Sequence, residues 1–118
     1  MTTDYDDHDE YELDQPPAAP RKSTYEVFNP EGSVGVACGR DGEVVGMHIT
    51  DEARENGDRW LAAEIVKLAE LAHMQSRVGL RKEMEAKGTR PYTIDSFGLP
   101  TEAAYRAKEH EVFGTRAV

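Results

Sequence analysis

The chain has 118 residues with 23 acidic and 14 basic side chains, a net charge of −9 that leaves room for one small domain. Leu, Ile, Val and Phe number 21, about 18% of the chain. At that fraction a strongly charged chain does not fold throughout, so part of this one is expected to be disordered. Three classes are set aside at once: an internal disulfide framework, because Cys38 has no partner; a membrane span, because no apolar run nears ~18 residues; and a chain-wide phosphate-binding surface, because neither half is basic.

The apolar shortfall is local. Residues 1–22 hold one member of that set, Leu13, and seven acids (Asp4, Asp6, Asp7, Asp9, Glu10, Glu12, Asp14) against Arg21 and Lys22, so the segment carries −5 and the remainder −4. This composition predicts a disordered acidic tail, joined to the domain through Pro16-Pro17-Ala18-Ala19-Pro20 as an extended, polyproline-like spacer. The start is acidic where a signal peptide is positive, and no apolar h-region follows. A single unpaired cysteine fits a reducing compartment. A cytoplasmic protein without membrane insertion is expected, unless another machine exports it.

From Ser23 the pattern becomes that of a half-buried strand, with Tyr25 and Val27 alternating with Thr24 and Glu26 and closed by the turn formers Asn29-Pro30-Glu31-Gly32. Two further strands, Ser33 to Cys38 and Glu43 to Ile49, flank Gly39-Arg40-Asp41-Gly42, a hairpin signal. With Asp41 and Gly42 at the tip, Cys38 pairs with Val45, Val36 with Met47 and Val34 with Ile49. Six apolar side chains then share one face. The other face receives Ser33, Gly35, Ala37, Gly46 and His48, a floor that either admits something close to the backbone or simply meets solvent.

Thr50 to Gly57 reads as a polar turn, and Asn56 or Asp58 can cap a helix that begins near Arg59. Leu61, Ile65, Leu68, Ala72 and Gln75 recur at steps of four and three, Trp60 and Leu71 widen the stripe, and no Pro intervenes before Gly88 stops the helix after Lys87. Trp60, Leu61, Ile65, Leu68, Leu71 and Ala72 are therefore the candidate dimer or partner interface. Such a helix is roughly 40 Å long and the strands roughly 17–20 Å, so its second half is expected to protrude or to meet a partner. That half carries Arg77, Arg81, Lys82 and Lys87 against Glu83 and Glu85. The cations either complement the helix dipole or form a small patch for an anionic partner.

Gly88 to Pro100 contains Tyr92, Ile94, Phe97 and Leu99, too apolar for a free linker, and is expected to pack back on the domain. Thr101 then caps a short helix that ends near Phe113 and Gly114. The organisation is a tail (1–22), a β-β-β-α domain (23–87) and a C-terminal connection with a short helix (88–118), an α+β fold. Its core is small enough that a homodimer is expected.

The residues offer little chemistry. His8, His48, His73 and His110 share no ligand spacing, Cys38 falls on the apolar face, and Asp51, Glu52 and Glu55 lie where a helix N-terminus favours acids. Gly32, Gly35, Gly39 and Gly42 lack the Lys-Ser/Thr of a phosphate loop. No catalytic, metal or cofactor constellation is found, so an enzyme is not expected.

The order of elements resembles the YbaB-like nucleoid-associated fold, with the acidic tail standing where those proteins carry a leading helix. The motifs bring the likeness closer: Phe28-Asn29-Pro30-Glu31-Gly32-Ser33-Val34, Asp41-Gly42-Glu43-Val44, Leu61-Ala62-Ala63-Glu64-Ile65 with Leu68-Ala69-Glu70-Leu71-Ala72, and Gly98-Leu99-Pro100-Thr101-Glu102-Ala103-Ala104 leading to Glu111-Val112-Phe113-Gly114-Thr115-Arg116. These resemble the EspD and EspH group of actinobacterial ESX (type VII) secretion-associated proteins. The resemblance implies an accessory, chaperone-like protein that supports secreted substrates by binding, so that ESX substrates or other secretion-associated proteins join the second copy expected from the small core as partners. It brings no catalytic residues. It also implies that members can be exported through a Tyr-xxx-Asp/Glu signal, a spacing found at Tyr5 to Asp9 and at Tyr105 to Glu109. The alternative is a YbaB-like, DNA-binding nucleoid dimer that uses Arg77, Arg81, Lys82 and Lys87.

Overall fold

Alternating burial of Tyr25 and Val27 produces β1 (Thr24–Phe28), and β2 (Val34–Gly39) and β3 (Val44–Ile49) follow as the expected hairpin. The computed structural model describes residues 24–114; the tail expected over 1–22 lies outside them. The strands form one antiparallel sheet in the order β1-β2-β3. The expected register holds for Val34 with Ile49 and Val36 with Met47, and then shifts by one residue, so that Cys38 faces Val44 instead of Val45. The cause is the turn. Gly42 N–H donates to the Gly39 carbonyl and Gly42 sits at φ +97°, which makes a three-residue connection of Arg40, Asp41 and Gly42 in place of a two-residue tip.

Asn29 organises the β1–β2 connection. Its Oδ1 accepts from the backbone N–H of Ser33 (2.8 Å) and of Val34 (3.1 Å), an Asx-type closure that accounts for an asparagine before Pro30. Its Nδ2 reaches across to the Glu64 carboxylate at 3.1 Å, and Lys67 pairs with the same carboxylate, so the buried acid is satisfied on both sides.

Thr50 caps a four-residue helix, α1 (Asp51–Arg54), which is too short for hydrophobic periodicity to reveal and which falls in the stretch read as a turn. The long helix α2 (Asp58–Ala86) follows the expected bounds within one residue. It lies over β1 and β2. Leu68, Leu71 and Ala72 meet Val34, Val36 and Cys38 in a core from which water is wholly excluded. Each such aliphatic side chain contributes roughly 1.5–3 kcal/mol.

The second half of α2 does not protrude as expected. The sheet end reaches as far as Glu83, which receives two hydrogen bonds from Arg40, at 3.1 and 2.5 Å. The chain's own C-terminal segment covers the rest. In the stretch read as irregular, Pro91 starts α3 (Pro91–Ser96) from the first helical position, where its missing N–H costs nothing, and Ile94 is buried. Thr101 then caps α4 (Glu102–Phe113), closed by Gly114 at φ +74°, as the sequence indicates. Tyr105 anchors α4 in the core with 2% of its surface exposed.

Candidate partner-binding surface

Seven large apolar side chains are exposed among the described residues, and three of them, Val44 (51%), Val45 (52%) and Met47 (56%), belong to β3. The cause is the placement of α2 over β1 and β2, which leaves the β3 side of the sheet without a cover. Of the six side chains expected on one apolar face, Val34, Val36 and Cys38 are buried, Ile49 is half-buried, and Val45 and Met47 stand open. β3 is also an edge: among the described residues only β2 pairs with it.

The opposite face of the sheet resolves the small-residue floor. A Cβ at Gly35 would lie 2.6 Å from Phe28 Cε2, so Gly35 is small because the Phe28 ring lies on it. Phe28 in turn meets His48 edge-on, with ring centroids 5.7 Å apart. At Gly46 there is ordinary space, with Ala37 Cβ at 3.9 Å.

The helix stripe divides into two parts. Leu68, Leu71 and Ala72 are spent on the chain's own core, while Trp60, Leu61 and Ile65 are half-buried against it. The part of the stripe that stays partly open is therefore its N-terminal half.

The four cations singled out on α2 are mostly engaged with oxygens of the same chain. Arg77 donates to the Arg40 carbonyl at 2.8 Å, and Arg81 pairs with Asp95 (2.9 Å) and Glu85 (3.3 Å) and donates to the Leu99 carbonyl (2.9 Å). Lys82 pairs with Glu102, which also binds Arg106. Lys87, the C-cap of α2, is exposed, as is Arg90 three residues beyond it. These ion pairs hold α3 and α4 against α2, a long-range use of the cations that no local pattern could show. Their charge is felt at Glu102, whose carboxyl is held below the usual range by the Lys82 hydrogen bond and charge and, to a lesser degree, by Arg106.

Of the remaining titratable groups, Cys38 is wholly buried and burial raises its thiol pKa. His73 donates from Nδ1 to the Gly42 carbonyl at 2.9 Å and so braces the hairpin turn. Tyr105 of the C-terminal Tyr-xxx-Glu spacing is buried, and its Glu109 binds Arg106 at the surface, so this spacing is part of a docked helix. Tyr5 to Asp9 lies outside the described residues. Groups of His, Cys, Asp and Glu able to hold a metal ion are absent among the described residues.

The fold and this surface together define a two-layer α+β module that keeps one helix-free, apolar sheet edge. Comparison with characterised proteins gives the relationship. Over an alignment of 110 positions that covers 82% of its length, the chain is 32% identical to the ESX-1 secretion-associated protein EspH of Mycobacterium tuberculosis (strain ATCC 25618 / H37Rv), a similarity that supports an EspH-type ESX secretion-associated family. It spans 60% of that relative's length. No family model matches the chain, and no solved structure does. No helix of the described residues is long and apolar enough to cross a membrane.

Proposed function

We propose that the chain is a non-enzymatic accessory protein of an ESX secretion system, which binds and supports secreted substrates and works as a homodimer. The similarity to EspH carries this reading. Two features support it. The polar side chains with defined partners close turns, cap helices and join elements, as Asn29, Thr50, Thr101 and Glu102 do, and β3 offers apolar surface of the kind that marks protein interaction. The homodimer would use the half-buried part of the helix stripe, Trp60, Leu61 and Ile65.

Affinity purification of the tagged chain from its own host, followed by measurement of ESX substrate levels with and without it, tests the reading. A chain that neither retrieves nor alters any secreted substrate removes its basis. Light scattering tests the dimer, which would show twice the 13.2 kDa chain mass. Duplex DNA binding is the less favoured alternative, since Arg77, Arg81 and Lys82 are already committed to the chain's own oxygens. Salt-sensitive gel shifts by the full chain would reverse that ranking.

A further inference from the structure

The outer edge of β3 combines three properties that fix the kind of segment it can hold. First, its backbone is directed outward. Thr50 N–H donates to the Ser33 carbonyl, and antiparallel ladders alternate, so the bonded pairs continue through Gly35–His48 and Ala37–Gly46 while the N–H and C=O groups of Met47 and Ile49 point away from β2. Second, the edge is thinly guarded. Sheets protect open edges with Lys, Pro, inward charges or bulges, and from Val44 to Ile49 only the last occurs, at the one-residue shift beside Cys38.

Third, the rim of this apolar strand is acidic at both ends. At the turn end Arg40 is neutralised by Glu83, and the exposed Asp41 and Glu43 outnumber Arg77, which reaches the turn from α2. At the other end Asp51, Glu52 and Glu55 outnumber Arg54, which is bonded to Asp51. We infer that this edge takes an extended apolar segment of a partner protein, with Lys or Arg at its ends, added as a fourth strand beside β3. The inference rests on the accessory-binding reading and supplies the chemistry of its partner. A second copy is the poorer occupant. Two-fold pairing of β3 with itself is antiparallel and would set acidic end against acidic end, in chains of −9 each.

The probe is a capped synthetic peptide that alternates valine and threonine between paired lysines, titrated against the full chain by fluorescence anisotropy. Its twin carries paired glutamates instead. The lysine form should bind about tenfold or more tightly than its twin, and its affinity should fall as salt rises. Met47→Pro removes an outward N–H without costing a β2–β3 bond, and Met47→Lys charges the edge. Each should weaken binding of the lysine peptide about tenfold while circular dichroism stays unchanged.

Equal affinity for the two peptides, no binding of either, or unaltered binding by both folded Met47 variants would overturn the inference. So would conversion of a dimer to a monomer by Met47→Lys, which would assign the edge to a second copy. Affinity purification separates the two levels. If the intact chain and its Met47→Lys variant retrieve the same ESX substrates, the edge inference fails and the accessory reading stands; if the intact chain retrieves none, the accessory reading fails whatever the peptides do.

Discussion

Replacing Gly79 by alanine sets two physical effects against each other. Gly79 lies inside α2, where alanine is the better helix former by about 1 kcal/mol, so propensity alone predicts a more stable protein. The structure predicts the reverse. A Cβ at Gly79 would lie 2.5 Å from Tyr25 Cζ and 2.8 Å from Cε2, and closer still to Oη. Tyr25 is 7% exposed, and burial first and the Glu83 charge second raise its phenol pKa. The ring cannot yield without leaving the sheet–helix interface. Overpacking of this kind costs about 1–3 kcal/mol, and after the gain in propensity a net loss of about 1 kcal/mol, at most about 2, is expected. Urea unfolding followed by Trp60 fluorescence and by far-ultraviolet circular dichroism measures it. The double variant Tyr25→Val with Gly79→Ala is the control: with the ring shortened, the same alanine should stabilise. If Gly79→Ala alone raises stability by the full propensity increment, the close seating of Tyr25 on α2 is refuted.

Three further outcomes follow from the same geometry. Asn29→Ala should cost about 2–3 kcal/mol in urea unfolding, because it strips acceptors from two backbone N–H groups and one donor from the buried Glu64. The lowered pKa of Glu102 means that its ion pairs stabilise the docked α4 above the usual carboxylate range and that this contribution is lost as pH falls through the depressed value. Amide exchange in α4 should therefore accelerate in acid, and Glu102→Gln should flatten that dependence. Burial raises the Cys38 pKa, so the thiol's share of stability is present below its usual pKa and is lost as pH rises through the raised value. Thiol reagents should label Cys38 in the native protein only at the rate of unfolding, and fast labelling at neutral pH would contradict its burial.

Elements whose signals are local were legible in the sequence. The alternation of Tyr25 and Val27, the three-and-four spacing from Leu61 onward, and the Thr101 and Gly114 ends of the last helix all describe contacts within a few residues of one another. The hairpin register was legible as far as Ala37 with Gly46. It slipped at Cys38 because Gly42 takes a left-handed conformation, which adds a residue to the turn. α1 and α3 were missed since four and six residues are too few to show a period, although Pro91 at a first helical position was a usable signal. The helix stripe named core and interface together, and only the position of the sheet separates Leu68, Leu71 and Ala72 from Trp60, Leu61 and Ile65. The basic run on α2 could not announce its partners, because Asp95 and Glu102 are brought to Arg81 and Lys82 by the fold of the connection.

The two polar attachments of α2 to the strand connections, Asn29 to Glu64 at one end of the sheet and Arg40 to Glu83 at the other, act together as a gauge of length. The segment between the two glutamates spans roughly 28 Å at 1.5 Å per residue, and one inserted residue would turn everything beyond it by about 100°. One attachment or the other would then face away from its strand connection. Chain-length variation among relatives that keep both contacts should consequently be absent between residues 64 and 83 and collect beyond Ala86, where the chain leaves the helix and the connection to α4 can lengthen without disturbing either attachment.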